Sequence, residues 1–131
     1  MSVKSRTGEA TLRLYPSRIT EGFPSANARS RMVELMQLAA ARLMKPHLGE
    51  YESSVSIEMQ VTHVAPTAGG TLRAVAAYAG LSGRLHRFKI NVFDESGLIG
   101  SAEHTRAVVT ERRLLAMSRH RADKAGALMT V

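Results

Sequence analysis

The chain has 131 residues and a mass of 14.2 kDa, with 44% hydrophobic residues, no cysteine and a formal net charge of +7. That size fits one domain with a real core, and the missing cysteines exclude a disulfide framework, a thiolate metal site and a thiol nucleophile. The basic surplus invites an anionic partner; with 5% aromatics and no tryptophan to stack on bases, nucleic acid rests on charge alone, and a phosphorylated small molecule fits the balance equally well.

Residues 1–7 are polar and read as a loose N-terminus without the apolar run of a leader, so a cytoplasmic protein is expected. Residues 10–15 alternate in polarity and predict a first strand closed by Pro16. Gly22, Phe23 and Pro24 mark a turn, after which Ser25 or Asn27 is suited to cap a helix. That helix, residues 28–44, is the element around which the rest is organised. From Met32 to Met44 only Glu34, Gln37 and Arg42 are polar, so apolar side chains cover nearly its whole circumference and it should be buried on most sides. At roughly 1.5 Å per residue it is about 25 Å long, too short and too interrupted to cross a bilayer. Lys45 and Pro46 end it.

Four further strands are expected. In residues 54–63, Val55, Ile57, Met59, Val61 and His63 alternate strictly and should share one face. Residues 71–79 are alanine-rich and are read as a strand by context. Residues 85–93 place His86, Phe88, Ile90 and Val92 on one face, and residues 98–110 form the longest strand. Short turns at Ser82-Gly83 and residues 94–97 join the last three into a meander. The basic tail, residues 112–131, is a solvated helix or a frayed end. The whole chain, 1–131, is then a single α+β domain: one long central helix wrapped by a curled antiparallel sheet of about five strands. Such a sheet leaves an edge and a face open, so a homodimer, or a tetramer built from two, is expected.

This order resembles the hotdog fold of thioesterases. The blocks FPSANARSRMVELMQLAAARLMKPHL, VTHVAPTAGG and GLIGSAEHTRAVV are similar to successive blocks of its fluoroacetyl-CoA thioesterase branch, over roughly residues 10–110. The resemblance implies an acyl-CoA ligand bound between subunits and hydrolysis of a small acyl thioester. In that branch a threonine before the helix, a glutamate within it and the histidine of the VTH block carry the reaction. Here the histidine is His63, while Arg29 stands in the threonine's place and Gln37 in the glutamate's. The resemblance also matches Phe23 and Arg106 to substrate-contacting positions.

An amide cannot take a proton as a carboxylate can, and an arginine side chain never deprotonates. Gln37 can still polarise a carbonyl or orient water, and Arg29 can hold a carboxylate or a phosphate. Ser30, Glu34 and Gln37 follow at i, i+4 and i+7 as one polar stripe, so Glu34 is the candidate to replace the missing carboxylate, unless it pairs with Arg31 or Arg42. Two function classes therefore stay open: a thioesterase using His63, Gln37 and Glu34 with Phe23, Arg29, Ser30 and Arg106 about the substrate, or a non-catalytic acyl-CoA or small-ligand-binding protein. His104 and Arg106 face one way on the last strand, toward an anion or toward solvent. The five histidines show no metal-ligand spacing, no glycine loop fits a nucleotide, and neither a metal nor a cofactor is expected.

Overall fold

The computed structural model describes residues 6–14, 26–67 and 69–129. Strand β1 (Thr7–Leu14) is followed by helix α1 (Ala26–Met44), a short 3₁₀ turn (Lys45–His47), strands β2 (Glu52–His63), β3 (Gly70–Ser82), β4 (Leu85–Asp94) and β5 (Gly97–Thr110), and a terminal helix α2 (Glu111–Met129). Each expected strand is present, extended by one to three residues at one or both ends, except that β1 stops at Leu14 and begins at Thr7. Asn27 falls inside α1, whereas Ser25 and Phe23 lie outside the described residues.

The five strands form one antiparallel sheet in the order β1-β3-β4-β5-β2. The meander β3-β4-β5 sits at its centre, and the two strands flanking α1 in sequence take the opposite edges. The chain must therefore cross the sheet between β1 and β2, and α1 makes that crossing, packed on β1, β3 and β4. Register shifts between Ser56 and Glu58, Tyr78 and Gly80, and Val92 and Phe93 bend the strands around it, as an extra residue in one strand does.

One face of α1 is inside. Met32, Leu35, Met36, Ala39, Ala40, Leu43 and Met44 are buried against Leu72, Ala74, Ala76, Phe88, Ile90 and Val92 of the sheet. Two glycines let the layers touch. A Cβ on Gly8 would stand 2.7 Å from the Ala39 carbonyl oxygen, and one on Gly100 would stand 2.8 Å from the Met32 sulfur. The other face is not covered: Arg31, Glu34, Leu38 and Arg42 form an exposed stripe, with Leu38 42% accessible. The burial expected around nearly the whole helix is thus confined to the side that one sheet can reach.

The strict alternation expected along β2 is also broken. Ser56 pairs with Arg106 but Glu58 pairs with Thr105, leaving Ile57 as the extra residue of a bulge. Directly paired residues share a face, so Met59, Val61 and His63 lie on the side of His104 and Ala102, whereas Val55 lies on the opposite side to Arg106. Ile57 itself is 54% exposed. Helix α2 is exposed at every described side chain, including Leu114, Leu115 and Met117.

Candidate functional site

His63 ends β2 opposite Gly100. Because Gly100 carries no side chain, the Met32 thioether can lie against it, and the first turns of α1 come down beside the end of β2. Between them is a cavity of about 250 Å³ lined by Arg29, Met32, His63, Val64, Ala65, Pro66, Thr67 and Ile99. Its wall after His63 is held in place. The amides of Val64 and Ala65 both donate to the Ile99 carbonyl, at 2.9 and 3.2 Å. The Thr67 hydroxyl donates to Asp94 Oδ2 at 2.9 Å, while Asp94 Oδ1 accepts from the amides of Ser96 and Gly97 in the β4–β5 turn. A loop fastened this way presents a fixed apolar surface to whatever enters.

Two of the residues singled out from the sequence, Arg29 and His63, meet at this cavity although 34 positions separate them. Neither has a hydrogen-bond or ion-pair partner among the described residues, so the guanidinium and both ring nitrogens are open to a ligand or water. Ser30 is exposed on α1 and does not line this cavity. Gln37 is half-buried on a flank of α1 shared with Val33 and Ala41, and it does not line the cavity either. Glu34 pairs with Arg31 at 3.2 Å on the exposed stripe and borders a separate depression with Thr11, Leu12, Leu35 and Leu38. Phe23 lies outside the described residues. Val64 to Thr67 stand within the VTHVAPTAGG block and Ile99 within the last expected strand; apart from the interruption at Pro66, nothing in their sequence marks them as a wall.

His104 and Arg106 point into the fold rather than to solvent and do not reach this cavity. Arg106 is 6% exposed, and each guanidinium nitrogen is engaged: Nε donates to Ser54 Oγ at 3.0 Å, Nη2 to the Ser54 carbonyl at 2.8 Å and Nη1 to His104 Nε2 at 3.1 Å. Its pKa is pushed down by burial. His104 Nδ1 lies 2.8 Å from the Glu58 carbonyl. Burial first, and the neighbouring Arg106 charge after it, lower the imidazole pKa against the opposing pull of that carbonyl. Alongside, Tyr78 Oη and His86 Nδ1 are 2.8 Å apart, the phenol pKa raised and the imidazole pKa lowered by burial. Among the described residues no group of three or more His, Asp or Glu side chains is placed to hold a metal ion, and no helix is long and apolar enough to cross a membrane.

Residues 14–112 match the family model described as fluoroacetyl-CoA-specific thioesterase. The chain is 36% identical over 88 residues to the fluoroacetyl-CoA thioesterase of Streptantibioticus cattleyicolor, an alignment covering 66% of this chain and 63% of that protein. It thus spans less than two thirds of the length of that relative. Among solved structures, a fluoroacetyl-CoA thioesterase superposes with a TM-score of 0.76 at 28% identity, over 92% of this chain and 96% of the other. A variant solved with fluoroacetate and coenzyme A superposes at 0.72. A hypothetical thioesterase-superfamily protein from Thermus thermophilus reaches 0.82 over 96% of this chain and 98% of that one, but at 22% identity its likeness is one of fold.

Proposed function

The chain belongs to the fluoroacetyl-CoA-specific thioesterase family, and from that premise we propose that it hydrolyses a short acyl-CoA thioester in the cavity between His63 and the first turns of α1. The observation that carries the reading is that His63, which the resemblance matches to the family's catalytic histidine, opens into an apolar cavity sized for a small acyl group. Imidazole is the side chain suited to exchanging a proton near neutral pH. In the proposed reaction His63 takes a proton from water as the water oxygen attacks the thioester carbonyl. The C–S bond then breaks, and the proton passes to the departing coenzyme A sulfur.

The developing oxyanion needs donors. The amides of Val64 and Ala65 are already committed to Ile99. The first amides of α1 have no intrahelical acceptor, and the helix dipole adds positive potential there. Gln37 is the side-chain donor in this reading. Since it does not line the cavity of its own chain, it acts from a second copy. The edge strand β2 supports such a homodimer through its unpaired backbone and the exposed Ile57, with α2 beginning beside it where the Glu111 amide donates to the Tyr51 carbonyl at 3.0 Å. Arg106 supports the β2–β5 seam behind the site, and Ser30, exposed on α1 next to Arg29, is assigned to its entrance, while Phe23 is given a substrate contact by the family resemblance alone. A cytoplasmic setting fits a coenzyme A ligand.

A second reading keeps the ligand and drops the reaction. It is favoured by Gln37, an amide where the family has a carboxylate, and by Arg29, which cannot act as a base. One experiment separates them: turnover of short acyl-CoAs by the parent and by His63→Ala. Hydrolysis that falls by about 10²–10⁴ in the variant supports the enzyme. Tight acyl-CoA binding with no turnover above the uncatalysed rate establishes the binding protein.

A further inference from the structure

We propose that the acyl chain of the natural thioester ends in a free carboxylate, held by the guanidinium of Arg29; this rests on the reading of the His63 cavity as the acyl site. Arg29 lines that cavity with Met32, His63, Val64, Pro66 and Ile99, and among the described residues none of the lining is acidic. Four other arginines near the helix and sheet have protein partners. Arg31 pairs with Glu34 and Arg73 with Glu9, each at 3.2 Å, and Arg42 reaches the Glu9 carbonyl at 3.4 Å. Arg106 is taken up by Ser54 and His104. Arg29 has no such partner among the described residues. It also stands near the start of α1, whose first turn contains no acidic residue and whose dipole favours an anion. The charge is thus set beside an apolar chamber without a counter-ion among the described residues.

A guanidinium matches a carboxylate through two parallel N–H···O bonds, while the methylenes between the two carbonyl carbons would lie against Met32, Val64, Pro66 and Ile99. The phosphates of coenzyme A also offer oxygen anions, but the pantetheine arm separates them from the thioester. His63 and Arg29 border one chamber of about 250 Å³, so a group at Arg29 is within reach of the acyl end when the thioester carbonyl is beside His63. The substrate class is therefore the mono-thioester of a short dicarboxylic acid, of the malonyl, succinyl or glutaryl type.

The test uses non-hydrolysable thioether analogues in pairs matched for chain length, one member ending in a methyl and the other in a carboxylate, with free coenzyme A as control. Calorimetry on the full chain should show the carboxylate member of the best pair binding at least about tenfold tighter, as for a hydrogen-bonded charge pair. Arg29→Gln should abolish that preference, Arg29→Lys should retain part of it, and free coenzyme A should bind parent and Arg29→Gln alike. Equal affinities within every pair, no binding of any analogue, or an Arg29→Gln loss that is the same for all analogues and for free coenzyme A, would overturn the assignment. The last outcome would place the guanidinium on a phosphate. Turnover is measured separately. Carboxylate-selective binding without hydrolysis removes the enzyme reading and leaves this one. Hydrolysis of neutral and carboxylated thioesters with no preference does the reverse.

Discussion

His104 accepts a hydrogen bond from Arg106, with Nε2 3.1 Å from Nη1, while its Nδ1 lies 2.8 Å from the Glu58 carbonyl. An acceptor role for Nε2 and a donor role for Nδ1 fix one tautomer and require the ring to be neutral. A protonated ring would set two cations against each other inside the sheet, where the oxygens that meet them, the Glu58 and Ser54 carbonyls and the Ser54 hydroxyl, are neutral.

Stability should therefore fall in mild acid. Burial lowers the pKa of His104, and that of His86, in the folded state. An imidazole in the unfolded chain titrates near 6.5. Above that pH both states bind no proton at these rings and the stabilisation is fully present. As pH drops below it the unfolded chain gains protons that the folded one does not, and stability is lost by up to about 1.4 kcal/mol per pH unit for each ring. Thermal unfolding midpoints should decline from pH 7 to pH 5, and less steeply in His104→Gln, whose amide can donate to Glu58 and accept from Arg106. A flat profile for the parent would mean that the pair is not held as described.

The two faces of α1 should respond differently to substitution. Leu43 is 2% exposed and Leu38 is 42% exposed. Leu43→Ala should cost about 2–5 kcal/mol, the transfer and cavity penalty of a core leucine. Leu38→Ala should stay within about 0.5 kcal/mol, as surface substitutions do. Urea unfolding of both variants checks this, and equal losses would mean that the stripe from Arg31 to Arg42 is covered in solution.

That contrast shows where the sequence was readable. The spacing of apolar residues located α1 and four of the strands, with β3 read from context, because period and turn chemistry are local properties. It could not say which side of α1 would be left open. Leu38 is as apolar as Leu43, and only the reach of a single sheet distinguishes them. Along β2 the alternation of Val55, Ile57, Met59 and Val61 is compatible with one face or, with a bulge at Ile57, with two. No feature of the residues selects between them. The family resemblance picked out Arg29 and His63 separately. Their meeting depends on Gly100, whose missing side chain admits Met32. The wall from Val64 to Thr67 was illegible because its order comes from bonds to Ile99 and Asp94, distant in sequence.

The proposed dimer should depend on the β2 edge. Light scattering is expected to give twice the 14.2 kDa of one chain. Ile57 is 54% exposed on that strand, and a lysine there opposes strand addition by charge and by desolvation cost. Ile57→Lys should shift the mass toward a single chain without unfolding it. A parent that already scatters as one chain at micromolar concentration would sink the dimer and, with it, any role for Gln37 from a second copy.

The carboxylate question decides how much chemistry remains. Glu34 is held by Arg31 at 3.2 Å on the exposed stripe and borders a depression away from His63, so Glu34→Ala should leave acyl-CoA turnover unchanged. Gln37 sits on the half-buried flank with Val33 and Ala41. Gln37→Glu is nearly isosteric and supplies the proton acceptor that an amide lacks. A positioned general base contributes about 10²–10⁴ in rate, and the variant should exceed the parent by a readily measured fraction of that. Because Gln37 does not line the His63 cavity of its own chain, the gain should require the second copy and vanish when Ile57→Lys is added. A gain that persists in the single chain would put Gln37 within reach of its own His63. If instead Glu34→Ala abolishes turnover and Gln37→Glu changes nothing, the working carboxylate lies on the exposed stripe, and the site must be moved to the other side of α1.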